Sequence, residues 1–177
     1  MWKSTPDQYG RVAIAIHWVS ALLIVALLVS GFRADATADA VGKITVLRAH
    51  AAMGITILIL SLARIAWWRM ADRKPPAPEG TTNSQHRAAQ LVHVLFYVVI
   101  LGMAVSGIGM LVLSGAGAIL FGGGAGPLPD FETFLPRTPH GIGARLMLAL
   151  FALHAGAALY HHFIRRDGLL RRMGIRL

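Results

Sequence analysis

Four stretches of this chain are each long and apolar enough to cross a lipid bilayer, and that constraint leaves few folds open. Runs 12–31, 49–68, 88–113 and 142–162 are dominated by Ala, Val, Ile, Leu and Gly. Crossing roughly 30 Å of hydrocarbon takes about 20 helical residues at about 1.5 Å each. Run 12–31 contains no Lys, Arg, Asp or Glu; run 49–68 carries only Arg64, near its end, and run 142–162 only Arg145. Without water, backbone groups must bond inside their own segment or around a closed barrel, and runs of this length read as helices.

Composition agrees. Of 177 residues, 55% are hydrophobic and 14% charged, and the mean hydropathy is +0.59, which is too apolar for a soluble domain with a charged surface. The absence of Cys excludes disulfides, thiolate-bound iron–sulfur clusters or zinc, and a cysteine nucleophile. A net charge of +9 would suggest nucleic acid in a soluble protein. Here the basic residues sit between apolar runs, so the partner is the lipid bilayer and no nucleic acid is expected. The expected fold is an all-α integral membrane protein, a four-helix transmembrane bundle forming a single domain over 1–177. Its helices are expected at about 12–33, 47–68, 88–113 and 140–163.

Lys3 and Arg11 before the first run, and Ala34-Asp35-Ala36 after it, have the flanks of a signal peptide. The run itself exceeds the roughly 7–15 apolar residues of such a segment, so it is expected to stay as a helix. Basic residues set the orientation. Arg64, Arg69, Arg73, Lys74 and Arg87 border the second connection, and Arg165, Arg166, Arg171, Arg172 and Arg176 follow the fourth run. The first connection has Arg33, Lys43 and Arg48, and the third Arg137 alone. Both termini and the second connection are therefore expected in the cytoplasm, with Lys74-Pro75-Pro76-Ala77-Pro78 extended there. The run Phe121-Gly122-Gly123-Gly124-Ala125-Gly126 lacks the Lys and the strand–helix setting of a phosphate loop, and reads as a plain loop. Residues 128–135 are expected along the membrane surface. No internal repeat is evident.

The chemistry lies in the histidines: His17, His50, His86, His93, His140, His154, His161 and His162. Ionisable groups at membrane depth are costly and mark function. A lone one can serve helix packing, but that accounts poorly for five on or beside four apolar runs. His50 and His140 both start their helices at the outer side and form the one bis-histidine pair available there. His154 follows His140 by 14 residues (154 − 140), so it lies roughly 21 Å deeper and within about 40° on the same helix face. One helix thus offers a ligand to each of two stacked sites. Iron in a planar macrocycle takes two axial imidazoles from opposing helices, which points to two haems stacked between helices. For His154, spacing leaves both His17 and His93 open as the partner. Ser20, Ala21, Gly54 and the stretch Gly156 to Ala158 are small enough to leave room nearby. Zinc would gather three or four ligands at one point, unlike pairs at two depths.

Tyr9-Gly10-Arg11 through Ile16-His17-Trp18, His50 with Gly54-Ile55, Leu91-Val92-His93, and His154-Ala155-Gly156-Ala157-Ala158-Leu159-Tyr160-His161-His162 together resemble the bacterial cytochrome b561 family. The resemblance covers nearly the whole chain and is nearest to the diheme, superoxide-oxidising branch. It implies two haem b groups, one held by His17 and His154 and one by His50 and His140, with His93 as a non-ligand. It also implies an oxidoreductase of the bacterial inner membrane, passing electrons from periplasmic superoxide to ubiquinone, with ubiquinone near His161. Arg48 and Arg137, each within three residues of an outer ligand, are the candidates to draw an anion in, with the acidic residues expected at the rim. Other small b cytochromes serve a partner dehydrogenase, hydrogenase or periplasmic carrier protein, which is the alternative role. The chain departs from the family pattern at Arg145 and in its short, Gly-rich third connection.

Overall fold

A computed structural model of the chain describes residues 1–78, 80–124 and 126–175; Ala125 of the Gly-rich run and Arg176 lie outside the described residues. Four long helices carry the fold: α1 (Arg11–Ala36), α2 (Ala40–Met70), α3 (Asn83–Leu113) and, after a short α4 (Ala116–Phe121), α5 (Arg137–Tyr160). A π turn at His161–Arg165 and a last short helix α6 (Leu169–Arg172) finish the described chain. With the π turn counted into the last span, all four are long and apolar enough to cross a membrane. There is no strand among the described residues.

The helices overrun the apolar runs. α2 starts at Ala40, ahead of the expected 47, and α3 at Asn83, ahead of 88. Polar caps outside the hydrocarbon explain the extra turns. The Asp39 carboxylate accepts from the Gly42 amide at 2.6 Å. Thr82 and Gln85 close a reciprocal capping box on α3. Gly115, in the left-handed region at φ 70°, turns α3 directly into α4.

α1 packs chiefly on α2, and α3 chiefly on α5. The inward face of each long helix recurs every seven residues, which is two turns or about 10.5 Å. On α1 this gives His17, Ile24, Gly31; on α2 His50, Ile57, Arg64; on α3 His93, Ile100, Gly107; on α5 His140, Met147, His154. The bundle is therefore built in three layers with one residue from each helix. The middle layer, Ile24, Ile57, Ile100 and Met147, is the buried apolar core. Outward side chains such as Leu22, Ile59 and Val105 are exposed and apolar, the inverse of a soluble bundle.

The first residues, the last described ones and the described residues between α2 and α3 meet at one end, the terminal end. The Tyr9 amide donates to the Arg172 carbonyl at 3.2 Å, and Trp18 Nε1–H to the Met173 carbonyl at 3.0 Å. Asp72 takes both the amide and the hydroxyl of Ser4, at 3.1 and 2.8 Å. Burial alone would raise the Asp72 carboxyl, but hydrogen bonds from Ser4, the Arg73 amide and the Trp67 indole outweigh it and hold it below its ordinary value. A depressed carboxylate contributes stability above its ordinary range and loses it as pH falls through the folded value. Asp72→Asn should therefore cost about 1 kcal/mol at neutral pH. The difference should vanish below the ordinary carboxylate range, which thermal melting in detergent at two pH values checks.

Candidate functional site

The two end layers hold the polar chemistry, and the first of them is at the end opposite the termini, the loop end. There His50 of α2 faces His140 of α5 with ring centroids 6.1 Å apart and planes at 68°. Each ring is fixed from behind in the same way. Ser30 on α1 meets His50 Nδ1 at 2.9 Å, and Ser106 on α3 meets His140 Nδ1 at 2.9 Å. Each serine also donates to the carbonyl three residues back, Leu27 and Met103. The glycine after each serine makes the approach possible. A Cβ at Gly31 or at Gly107 would lie 3.3 Å from the Cε1 of its histidine. With Nδ1 engaged, each imidazole keeps Nε2 for a ligand role.

At the terminal-end layer, His154 of α5 lies 6.1 Å from His17 of α1 and 5.5 Å from His93 of α3, by ring centroids. The fourth position of that layer is Arg64 of α2. Its Nε is shielded from solvent and finds no hydrogen-bond partner, as does Nε1 of Trp68 one turn on. Lys74, beyond the end of α2, stands 5.9 Å from the Trp68 ring centroid. Burial and then the Arg64 charge push its ammonium below the ordinary lysine value.

These layers expose a repeat that the sequence reading missed. Val-Ser-Gly occurs at 29–31 and again at 105–107. Each copy follows a histidine by the same distance, His17 to Ser30 (30 − 17 = 13) and His93 to Ser106 (106 − 93 = 13). In the second helix of each half, position 14 beyond His50 is Arg64 and position 14 beyond His140 is His154. So α1–α2 and α3–α5 are two copies of one helical hairpin, related at the loop-end layer and different at the terminal-end layer. The unequal connections, 37–39 against 114–136, hide the repeat from a fixed-period search. The short Val-Ser-Gly signal could have found it.

A cavity of about 680 Å³ runs from the middle layer to Leu120 and includes both loop-end histidines. The third connection closes it. Leu120 of α4 is fully buried, and residues 129–132 line the mouth, so this stretch covers the bundle end as well as skirting the surface. Arg48 is absent from the cavity wall; its Nε donates to the Leu120 carbonyl at 2.5 Å and tethers α4. Arg137 does line it, but is ion-paired with Asp35 and Glu132 at 2.9 and 2.8 Å. The expected order, with bases at the mouth and acids at the rim, is thus corrected: bases and acids sit together. Lys43 and Arg145 also line the cavity and have no ion pair among the described residues. Arg145 is the departure noted in the sequence.

At the terminal end, His161 Nδ1 meets Asp167 Oδ2 at 2.5 Å. Burial alone would raise the Asp167 carboxyl; hydrogen bonds from His161 and the Leu169 amide, and the charges of His161 and Arg165, keep it below its ordinary value. A second cavity, of about 500 Å³, lies beside the π turn and is lined by His162, Asp167, Arg166 and Arg171.

Among the described residues, no three His, Asp or Glu side chains gather as a metal-ion cluster. Two imidazoles on opposite sides of one metal atom, each bound at about 2 Å, have centroids roughly 6 Å apart. Both cross-half pairs meet that spacing, so the donor set fits a bis-imidazole group. A profile of the prokaryotic cytochrome b561 family matches residues 8–174. The chain belongs to the prokaryotic cytochrome b561 family. Cytochrome b561 homolog 1 of Escherichia coli is 31% identical, covering 94% of this chain and 97% of the relative. Cytochrome b562 of Cereibacter sphaeroides is 29% identical over 93% and 94%. A protein of Yersinia pestis named probable superoxide oxidase CybB is 27% identical over 94% and 95%. As a cytochrome b561, the chain is a bacterial membrane protein of electron transfer whose family binds haem b.

Ser30 and Ser106 are the fixed partners of the loop-end rings. Ser30→Ala and Ser106→Ala should each lower stability by about 1–2 kcal/mol by orphaning a ring nitrogen. The two losses should add, because the serines lie in different halves; thermal melts of the single and double variants check this.

Proposed function

We propose that this cytochrome carries two haem b groups and passes electrons across the bacterial inner membrane, from periplasmic superoxide to ubiquinone. The observation that carries the reading is the pair of cross-half histidine couples, each at 6.1 Å, placed two layers apart on α5. His50 and His140 hold one group. His17 and His154 hold the other, because that pair repeats both the spacing and the cross-half geometry of the first. His93 belongs to the same half as His154 and sits closer to it; it lines the site without ligating. The Yersinia relative named as a probable superoxide oxidase supports the donor and the activity.

Haem b supplies one-electron oxidation and reduction. The chain's own residues do the rest. Paired imidazoles would hold the two groups, with His140 and His154 roughly 21 Å apart along the helix axis, and the serine bonds lock the loop-end rings. Ile24, Ile57, Ile100 and Met147 fill the layer between them and keep it dry. The terminal end, richest in Arg, faces the cytoplasm. Overall, two superoxide anions each give up one electron and become oxygen, and one ubiquinone takes two electrons and two protons to become ubiquinol. His161, paired with Asp167 at the cytoplasmic edge, is placed to relay those protons.

Lys43 and Arg145, free of carboxylate partners among the described residues, take over the anion-drawing role first expected of Arg48 and Arg137. Arg48 keeps a structural role through α4.

Haem extraction and quantification test the ligand sets. His50→Ala or His140→Ala should lose one haem and keep the other, and His154→Ala should lose the second. Two haems retained in both loop-end variants would sink the assignment. His161→Ala should slow reoxidation by ubiquinone while sparing reduction from the periplasmic side; normal reoxidation removes His161 from the reaction. Lys43→Gln with Arg145→Gln should slow reduction by superoxide up to about tenfold at low ionic strength, with the gap closing as salt rises. An unchanged low-salt rate would turn the reading toward the second role, a subunit serving a protein donor.

A further inference from the structure

The terminal-end layer contains donors that nothing in the described structure satisfies. Where the repeat puts His154 in one half, it puts Arg64 in the other. The Arg64 Nε is buried and unbonded, and so is Trp68 Nε1 four residues on, on the same face of α2. Lys74 adds a second cation beside the Trp68 ring. Neither cation pairs with a carboxylate among the described residues, where the ion pairs are Arg137 with Asp35 and Glu132, and His161 with Asp167. Asp72, the acid nearest in sequence, is taken up by Ser4, Arg73 and Trp67.

Two cations and two shielded N–H donors, placed together without an acceptor, call for an anionic oxygen ligand. A neutral carbonyl would satisfy one N–H and leave both charges uncompensated. A planar carboxylate matches a guanidinium and an adjacent indole N–H. In the layer of His17 and His154, the two-haem reading brings such a group, since haem b carries two propionates.

We propose that Arg64 and Trp68, with Lys74 beside them, bind a propionate carboxylate of the haem held by His17 and His154, fixing its rotation and tuning its potential. The proposal rests on the two-haem reading. Arg64 is a positioning residue: it sets how the group sits and how readily it takes an electron. A cation near the ring favours the added electron, so the haem at this layer gains potential from Arg64 and Lys74. The loop-end layer has Gly31 and Gly107 at its remaining helix positions, and no such pair of donors. The repeat therefore gives the terminal-end layer an arginine that the loop-end layer lacks, while the cations at the loop end, Lys43, Arg137 and Arg145, stand in the cavity lining.

The test uses the full-length protein in detergent with its natural haem. Arg64→Gln, Arg64→Lys and Trp68→Phe are compared by haem content, by spectroelectrochemical titration of each haem, and by the propionate bending band in resonance Raman spectra. Arg64→Gln should lower the midpoint potential of one haem, the one that His154→Ala removes, and leave the other unchanged. The propionate band should shift in Arg64→Gln and in Trp68→Phe, with Arg64→Lys restoring much of the potential. Wild-type potentials and band in Arg64→Gln with both haems bound would overturn the proposal. So would an unshifted band accompanied by loss of bound phospholipid phosphorus, which would assign the donors to a lipid headgroup. If Arg64→Gln does not hold haem, unchanged band and potentials in both Arg64→Lys and Trp68→Phe overturn it. The two-haem reading fails separately, by unchanged haem content in His154→Ala.

Discussion

The cost of keeping an imidazole away from water organises this bundle. A histidine at membrane depth is costly when its ring nitrogens lack partners. Ser30 and Ser106 occupy Nδ1 of the loop-end pair, each at 2.9 Å, which leaves the facing nitrogens as the unmet requirement of that layer. The closest approach of α1 and α3 to the ring edges falls at glycines, where an added Cβ would crowd Cε1 of each ring at 3.3 Å. His140 and His154 stay on one face over three layers because the buried face returns every two turns.

From this follows a division of labour between the layers. The middle layer is apolar and narrow, one side chain from each helix. The end layers are where the two hairpins agree or differ. At the loop end they agree down to the hydrogen bonds. At the terminal end one contributes a histidine and the other an arginine, so a near-symmetric scaffold acquires a direction. The difference arises from a single residue type on α2, Arg64 in place of a histidine.

The mouth at the loop end follows a different logic. Its charges are held by one another: Arg137 is bound by Asp35 and Glu132, and Arg48 is bound to the carbonyl of Leu120. Those contacts hold the third connection over the cavity, so its charged residues act first on structure. Lys43 and Arg145, which also line that cavity, have no ion pair among the described residues.

The sequence alone determined the class of fold, because only helices satisfy the backbone over four runs of that length without water. It also determined the loop-end pair, since His50 and His140 are the two histidines at that end, and the two depths on α5, since 14 residues on a helix is a fixed rise and rotation. Tertiary structure decided everything that depends on which helices touch. His17 and His93 lie at equal depth in the sequence, and only the packing set one at 6.1 Å and the other at 5.5 Å from His154. Arg64 read as a border charge until the bundle placed it in a histidine layer with its Nε shielded and unmet. Arg48 and Arg137 read as free cations until the fold set Arg48 against the Leu120 carbonyl and Arg137 against Asp35. In each case the deciding distance is between residues far apart along the chain, and periodicity along one helix carries no information about which neighbour it will face.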